Sequence, residues 1–106
     1  MLNLKEKTQF KRDIKTIKKR GKDLDKLKSV IIELVNERAL NSKYKDHPLI
    51  GNYKTDRECH IEPDWLLIYT ITGRDLILVR TGSHSDLFKK YGSQLMMNVF
   101  ALFVGR

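Results

Sequence analysis

The sequence predicts an α+β domain in which an N-terminal helical hairpin packs on a three- to four-stranded antiparallel sheet. Two observations carry this reading. Apolar residues recur at helical spacing from Phe10 to Val35, and from Tyr53 onward the pattern changes to alternating and branched residues punctuated by tight turns. A third observation sets the scale, because 106 residues suit one domain around one modest core.

Taken in order, Leu2–Leu4 is read as an edge strand. Phe10, Ile14 and Ile17 fall at i, i+4 and i+7 with lysines and Arg12 between them, so a helix with one apolar stripe is predicted over residues 8–20. Thr8 is its expected N-cap, and Gly21 its C′ residue, since glycine tolerates the left-handed conformation that ends helices. Asp23 is expected to cap a second helix, in which Leu24, Leu27, Ile31, Leu34 and Val35 repeat at helical spacing up to about Arg38. So short a connection folds the two helices into an antiparallel hairpin. Residues 39–52, with Asn41, Ser42, Asp46, Pro48, Gly51 and Asn52, read as a loop that carries His47. Arg57, Cys59 and Ile61 then alternate with Glu58 and His60 in a strand. Glu62, Pro63 and Asp64 form a turn, because proline presets φ and acidic residues suit turn positions. Trp65–Ile71 is the central strand, Thr72–Asp75 the next turn, and Leu76–Thr81 a third strand ended by Gly82. Ser83–Phe88 is expected to be a compact polar loop or helical turn. The domain is therefore assigned to residues 1–88, and residues 89–106 to an apolar C-terminal extension whose role stays open.

Charge is unevenly placed. The net charge is +8, and residues 1–28 hold 11 basic side chains against 4 acidic ones. A field of that sign at one end of the chain suits a polyanionic partner. Lys11, Arg12, Lys15, Lys18 and Lys19, on the first predicted helix, are the candidate nucleic-acid or ribosome contacts, although a lysine-rich helix face is more often simply a solvated surface. The single cysteine, Cys59, excludes an intrachain disulfide framework. The first twenty residues contain no apolar run and predict no signal peptide. Trp65–Tyr69 and Val99–Val104 are too short to span a bilayer. A cytoplasmic protein without a membrane partner is the expectation.

Three histidines, His47, His60 and His84, lie in the second half of the chain, with Asp64 and Trp65 just after His60 and Arg80 just before His84. Such a set suits RNA cleavage through the ribose 2′-OH. A base takes that proton, a cation stabilises the phosphorane, and an acid protonates the departing 5′ oxygen. Imidazole can serve as base or acid near neutrality, and the planar fork of Arg80 suits charge on non-bridging oxygens. Trp65 and Phe88 offer faces on which a base can stack. Each residue also has a plainer reading: a histidine satisfied on the surface, Trp65 as a core anchor, Arg80 paired with Glu58. Parity places Glu58 and His60 on one strand face, but the register that would unite them with Arg80 is not legible. The histidine spacings match no standard zinc pattern, so a metal hydrolase built on these three residues and Asp64 rests on residue types alone.

Three stretches change this balance: Tyr44-Lys45-Asp46-His47-Pro48-Leu49, residues 57–69 from Arg57 to Tyr69, and residues 80–88 from Arg80 to Phe88. Together they resemble the YafQ branch of the RelE-like toxins of type II toxin–antitoxin systems, and the likeness runs in order over residues 1–88. It implies a RelE-like, microbial-RNase-like fold and a ribosome-dependent endoribonuclease (an mRNA interferase) that cuts mRNA in the ribosomal A site. It also implies neutralisation by a cognate DinJ-like antitoxin, with operator DNA bound through the toxin–antitoxin complex. Family active-site positions fall on His47, His60, Asp64, Trp65, His84 and Phe88. By the same resemblance His84 is the general acid, His60 or Asp64 the base or its orienter, and His47 a phosphate or proton-handling partner. No metal or other cofactor is implied. Arg80 as the transition-state cation is an inference from its chemistry alone. Lys89–Arg106 departs from the family pattern, since the relatives end near Phe88. A catalytically silent homologue that only binds antitoxin and operator DNA is the rival reading.

Overall fold

A computed structural model describes residues 1–49 and 55–90, with side chains described as far as Leu87. Its elements run β1 (Asn3–Glu6), α1 (Thr8–Lys19), α2 (Leu24–Val35), a 3-10 turn (Ser42–Tyr44), β2 (His47–Pro48), β3 (Asp56–Glu62), β4 (Trp65–Thr72), β5 (Asp75–Gly82) and α3 (His84–Lys90). The helical hairpin packs on the sheet as expected. The sheet has five strands in the order β1-β5-β4-β3-β2, which makes β4 central. It is mixed rather than antiparallel throughout, because β1 runs parallel to β5, from Asn3 opposite Asp75 to Glu6 opposite Leu78. A pairing between segments so far apart in the chain leaves no turn signal, and only the meander β3-β4-β5 carries one.

Phe10 and Ile17 of α1 and Leu27, Val30 and Leu34 of α2 are buried against Cys59, Ile61, Leu67, Tyr69, Leu76 and Leu78 of the sheet. Area removed from water on this scale stabilises each large apolar side chain by about 1.5–3 kcal/mol. Leu2 joins this core just ahead of β1. Asp23 caps α2 by accepting the Asp25 N–H, and Gly21 follows α1 at φ +77°. Thr8 is not a cap: Lys7 occupies that position with extended backbone and no side-chain bond. The Lys7 N–H is held by the Leu78 carbonyl, so the strand ladder runs straight into the helix. The second helix stops at Val35 rather than near Arg38. The Val35 carbonyl is taken by the Leu2 N–H, and Glu37 turns left-handed at φ +59°. The segment 39–52 is not wholly loop, since it holds the 3-10 turn and β2. Residues 91–106 of the apolar extension lie outside the described residues.

Beyond Leu78, β1 no longer pairs with β5, because the chain has already turned into α1. Asp13 of α1 fills that gap. Its carboxylate accepts the Thr81 N–H at 3.0 Å, Arg80 Nε at 2.7 Å, Arg80 Nη2 at 3.0 Å and Gln9 Nε2 at 3.1 Å. Both charged groups are buried. A buried pair of this kind is costly to break from one side, because the survivor is left as an uncompensated charge. Asp13→Ala is expected to destabilise the protein by about 3–5 kcal/mol in urea unfolding, with the Asp13→Ala/Arg80→Ala double variant losing clearly less than the sum of the singles.

Candidate active site

The antiparallel register gathers the site at one end of the sheet. His60 of β3 lies opposite Leu66 of β4, and Leu66 lies opposite Gly82 of β5, two residues before His84. On the other side of β3, His47 lies directly opposite Glu58. The tight Glu62–Trp65 hairpin end sets Asp64 beside the start of α3. Imidazoles separated in the chain thus become neighbours: the His47 and His60 ring centroids are 6.3 Å apart, and those of His60 and His84 5.9 Å apart.

Each ring is oriented by a specific partner. His84 Nδ1 donates to Asp64 Oδ1 at 2.5 Å, and the same oxygen accepts the His84 backbone N–H at 2.9 Å. An ionised carboxylate only accepts, so it selects the tautomer with its proton on Nδ1. The His84 backbone N–H, followed by its imidazole, holds the Asp64 carboxyl below the usual carboxylate range. His47 Nδ1 donates to the Lys45 carbonyl at 2.5 Å, a contact made possible by the left-handed backbone of Lys45 at φ +51°. Asp46 anchors that turn by accepting the Tyr69 hydroxyl at 2.6 Å and Arg57 Nε at 3.3 Å.

Glu58 lies between two of the imidazoles, 3.8 Å from His47 Nε2 through one carboxylate oxygen and 3.8 Å from His60 Nε2 through the other. Burial pushes its carboxyl up, while the His47 and His84 imidazoles pull the other way. His60 is displaced toward the neutral form, chiefly by burial and then by the neighbouring His84 and His47. Beside His60 and His84 opens a cleft of about 660 Å³, walled by Lys26, Lys43, Lys45 and Tyr44. The cleft also carries one carboxylate, Glu62, which Lys26 Nζ binds at 2.9 Å, so Lys43 and Lys45 are the lining cations not bound to it.

His47, His60, Asp64 and His84 therefore converge as the sequence reading expects. Arg80 is buried, pairs with Asp13 rather than with Glu58, and does not line the cleft. Trp65 is not a stacking face either. It is 1% exposed and donates Nε1–H to Thr81 Oγ1 at 2.9 Å, which makes it a core anchor beneath the site. The side chain of Phe88 lies outside the described residues. Lys11, Arg12, Lys15, Lys18 and Lys19 are exposed on α1 but do not line the cleft. Sequence reasoning missed Glu58 as a site member, although its parity with His60 pointed to it. It missed Lys26, Lys43 and Lys45 because a lysine carries no positional signal of its own. Among the described residues no group of three or more His, Cys, Asp or Glu side chains is arranged to hold a metal ion, and no helix is long and apolar enough to cross a membrane.

The family model described as a bacterial toxin of type II toxin–antitoxin systems, YafQ, matches residues 2–89. The chain is 47% identical over 81 residues to the mRNA interferase toxin YafQ of Escherichia coli K12, an alignment spanning 76% of this chain and 88% of that protein. Among solved structures, a chain of the E. coli DinJ–YafQ complex superposes with a TM-score of 0.79 at 43% identity, covering 83% of this chain and 99% of that one. A metal-bound toxin from Helicobacter pylori superposes with a TM-score of 0.79 at 48% identity, covering 83% and 100%.

The environment of His60 has a measurable consequence for stability. The unfolded chain takes up its proton near the ordinary value of 6.5, whereas the folded protein does so only at lower pH. Between those two midpoints the unfolded state binds more protons, so stability is full above about pH 6.5 and falls as pH drops through the folded midpoint. Urea unfolding across this window should show the loss, and His60→Asn should flatten it.

Proposed function

The chain belongs to the YafQ family of toxins of type II toxin–antitoxin systems, and from that membership we propose that it is a ribosome-dependent endoribonuclease cutting mRNA in the ribosomal A site. The observation that carries the mechanism is the gathering of three imidazoles beside a lysine-walled cleft. In this reading His60, held neutral by burial, accepts the proton of the ribose 2′-OH. The 2′ oxygen then bonds to the adjacent phosphorus and the P–O5′ bond breaks. His84, with Nδ1–H held by Asp64, delivers a proton from Nε2 to the departing 5′ oxygen. The products are a 2′,3′-cyclic phosphate and a 5′-hydroxyl end, so every proton is accounted for by the chain's own residues.

Glu58 supports this division of roles. Its carboxylate lies beside His47 and His60, where it can stabilise the imidazolium that forms when the base is loaded, without taking the proton itself. His47 is the phosphate- or proton-handling partner. Lys43 and Lys45, rather than Arg80, are the cations offered to the charge that builds on the non-bridging oxygens, with Lys26 beside them bridged to Glu62. Lys11, Arg12, Lys15, Lys18 and Lys19 then serve as phosphate contacts on ribosomal RNA, away from the chemistry, and their contribution should fall with salt. Phe88 keeps its place as a substrate-side aromatic by family resemblance alone. A DinJ-like antitoxin is the proposed inhibitor, by analogy with the E. coli toxin found in complex with DinJ. Operator DNA would be reached through that complex, and the ribosome places the activity in the cytoplasm.

Two measurements test the reading. His84→Ala should slow cleavage of ribosome-bound message by about 10²–10⁴-fold, the usual contribution of a positioned acid or base. A 2′-deoxy nucleotide at the scissile position should abolish cleavage, and cutting that persists there would refute the mechanism. Wild-type protein that binds antitoxin yet leaves translating message intact would instead establish the silent homologue.

A further inference from the structure

We infer that Arg20 and Asp86 form a positioning pair that seats His84, an inference that rests on the reading above in which His84 is the acid. His84 is the first residue of α3, a helix of 7 residues. So short a helix does not hold its own first turn, and its orientation must be imposed. One constraint comes from Asp64, as described. The other comes from Asp86 on the opposite side of the chain. Its carboxylate accepts the Ser83 N–H at 2.9 Å, while Ser83 Oγ accepts the Asp86 N–H at 3.1 Å. This is a reciprocal capping box with an aspartate in the position usually held by Glu or Gln.

The same carboxylate is gripped by a second helix. Arg20, the C-cap residue of α1, donates Nη1 at 2.6 Å to one Asp86 oxygen and Nη2 at 2.9 Å to the other. This bidentate fork fixes direction as well as distance. It ties the first turn of α3 to the end of α1, an element otherwise anchored in the core by Phe10 and Ile17. The fit is close: a Cβ on Gly82 would lie 2.9 Å from Asp86 Oδ2, so the carboxylate rests against bare backbone. Arg20 also adds positive charge near Asp64, whereas Asp86 adds negative charge there. The pair therefore holds Asp86 in place without exposing the Asp64–His84 couple to an unbalanced carboxylate. Neither residue lines the cleft, so the effect reaches the chemistry only through His84.

The experiment uses the full chain on translating ribosomes, with Arg20→Met, Arg20→Lys, Asp86→Ala and the Arg20→Met/Asp86→Ala double variant. Turnover and KM are measured separately, together with the His84 imidazole ¹H and ¹⁵N shifts of the free protein and its thermal midpoint. We expect Arg20→Met and Asp86→Ala to lower kcat by about 10- to 100-fold, as sub-ångström to ångström misplacement does, with KM unchanged. The double variant should be no worse than Asp86→Ala alone, and Arg20→Lys should recover part of the loss. The His84 resonances should move while those of His47 stay. Folded variants that keep both kcat and the His84 shifts overturn the proposal. A loss confined to KM, which would mark Arg20 as a plain phosphate contact, also overturns it. If the wild-type protein proves not to cleave message, the functional reading fails, and the His84 shifts still decide whether the pair seats that residue.

Discussion

Antiparallel pairing sets the end of one strand beside the start of the next, and three strands paired in this way bring alternate chain reversals to the same edge of a sheet. Here the ladder across β3, β4 and β5 puts His60, Leu66 and Gly82 in one row. Everything chemical follows from that row. His84 emerges two residues past Gly82, Asp64 lies in the hairpin turn beside it, and β2 adds His47 opposite Glu58. A one-residue slip of β3 on β4 would send His60 into the helix-side core and Cys59 into the site. The helical core guards against that slip, because Cys59, Ile61, Leu67 and Tyr69 are buried on the face that α1 and α2 cover.

Charge is sorted by the same architecture. Among the described residues the most buried cation, Arg80, is paired with Asp13, which closes the stretch of β5 that β1 does not reach. That pair joins α1 to β5 within the buried interior. The buried anion near the imidazoles is Glu58, and the cations facing the cleft are lysines on α2 and on the turn before β2. His84 is thus oriented by an exposed carboxylate, Asp64, whereas the carboxylate beside His47 and His60, that of Glu58, is buried.

His84 is held through Asp64, His47 through the Lys45 carbonyl, and the segment carrying His47 through Asp46 with Tyr69 and Arg57. The His47 contact is local, within the turn, while Asp64 reaches α3 from the β3–β4 turn and Asp46 is met by side chains of β3 and β4. The Arg20–Asp86 pair adds a contact between elements at the first turn of α3. Most of the orienting contacts around the imidazoles therefore run between elements.

The sequence by itself determined the two helices, their hairpin, the Asp23 cap, the β3-β4-β5 meander and the residue types of the site. These depend on apolar periodicity, turn chemistry and motif, all of which are local. It also showed Glu58 and His60 to share a strand face, from parity alone. Only the tertiary structure decided that β1 pairs parallel with β5, that His47 belongs to a strand, that Arg80 turns to Asp13 and that Trp65 lies in the core. Pairings between distant segments leave no trace in local periodicity, and a buried Arg or Trp looks the same in sequence as an exposed one. Which of two chemically competent partners a side chain reaches is settled by register and by the burial of charge, and both exist only once the sheet has closed against its helices.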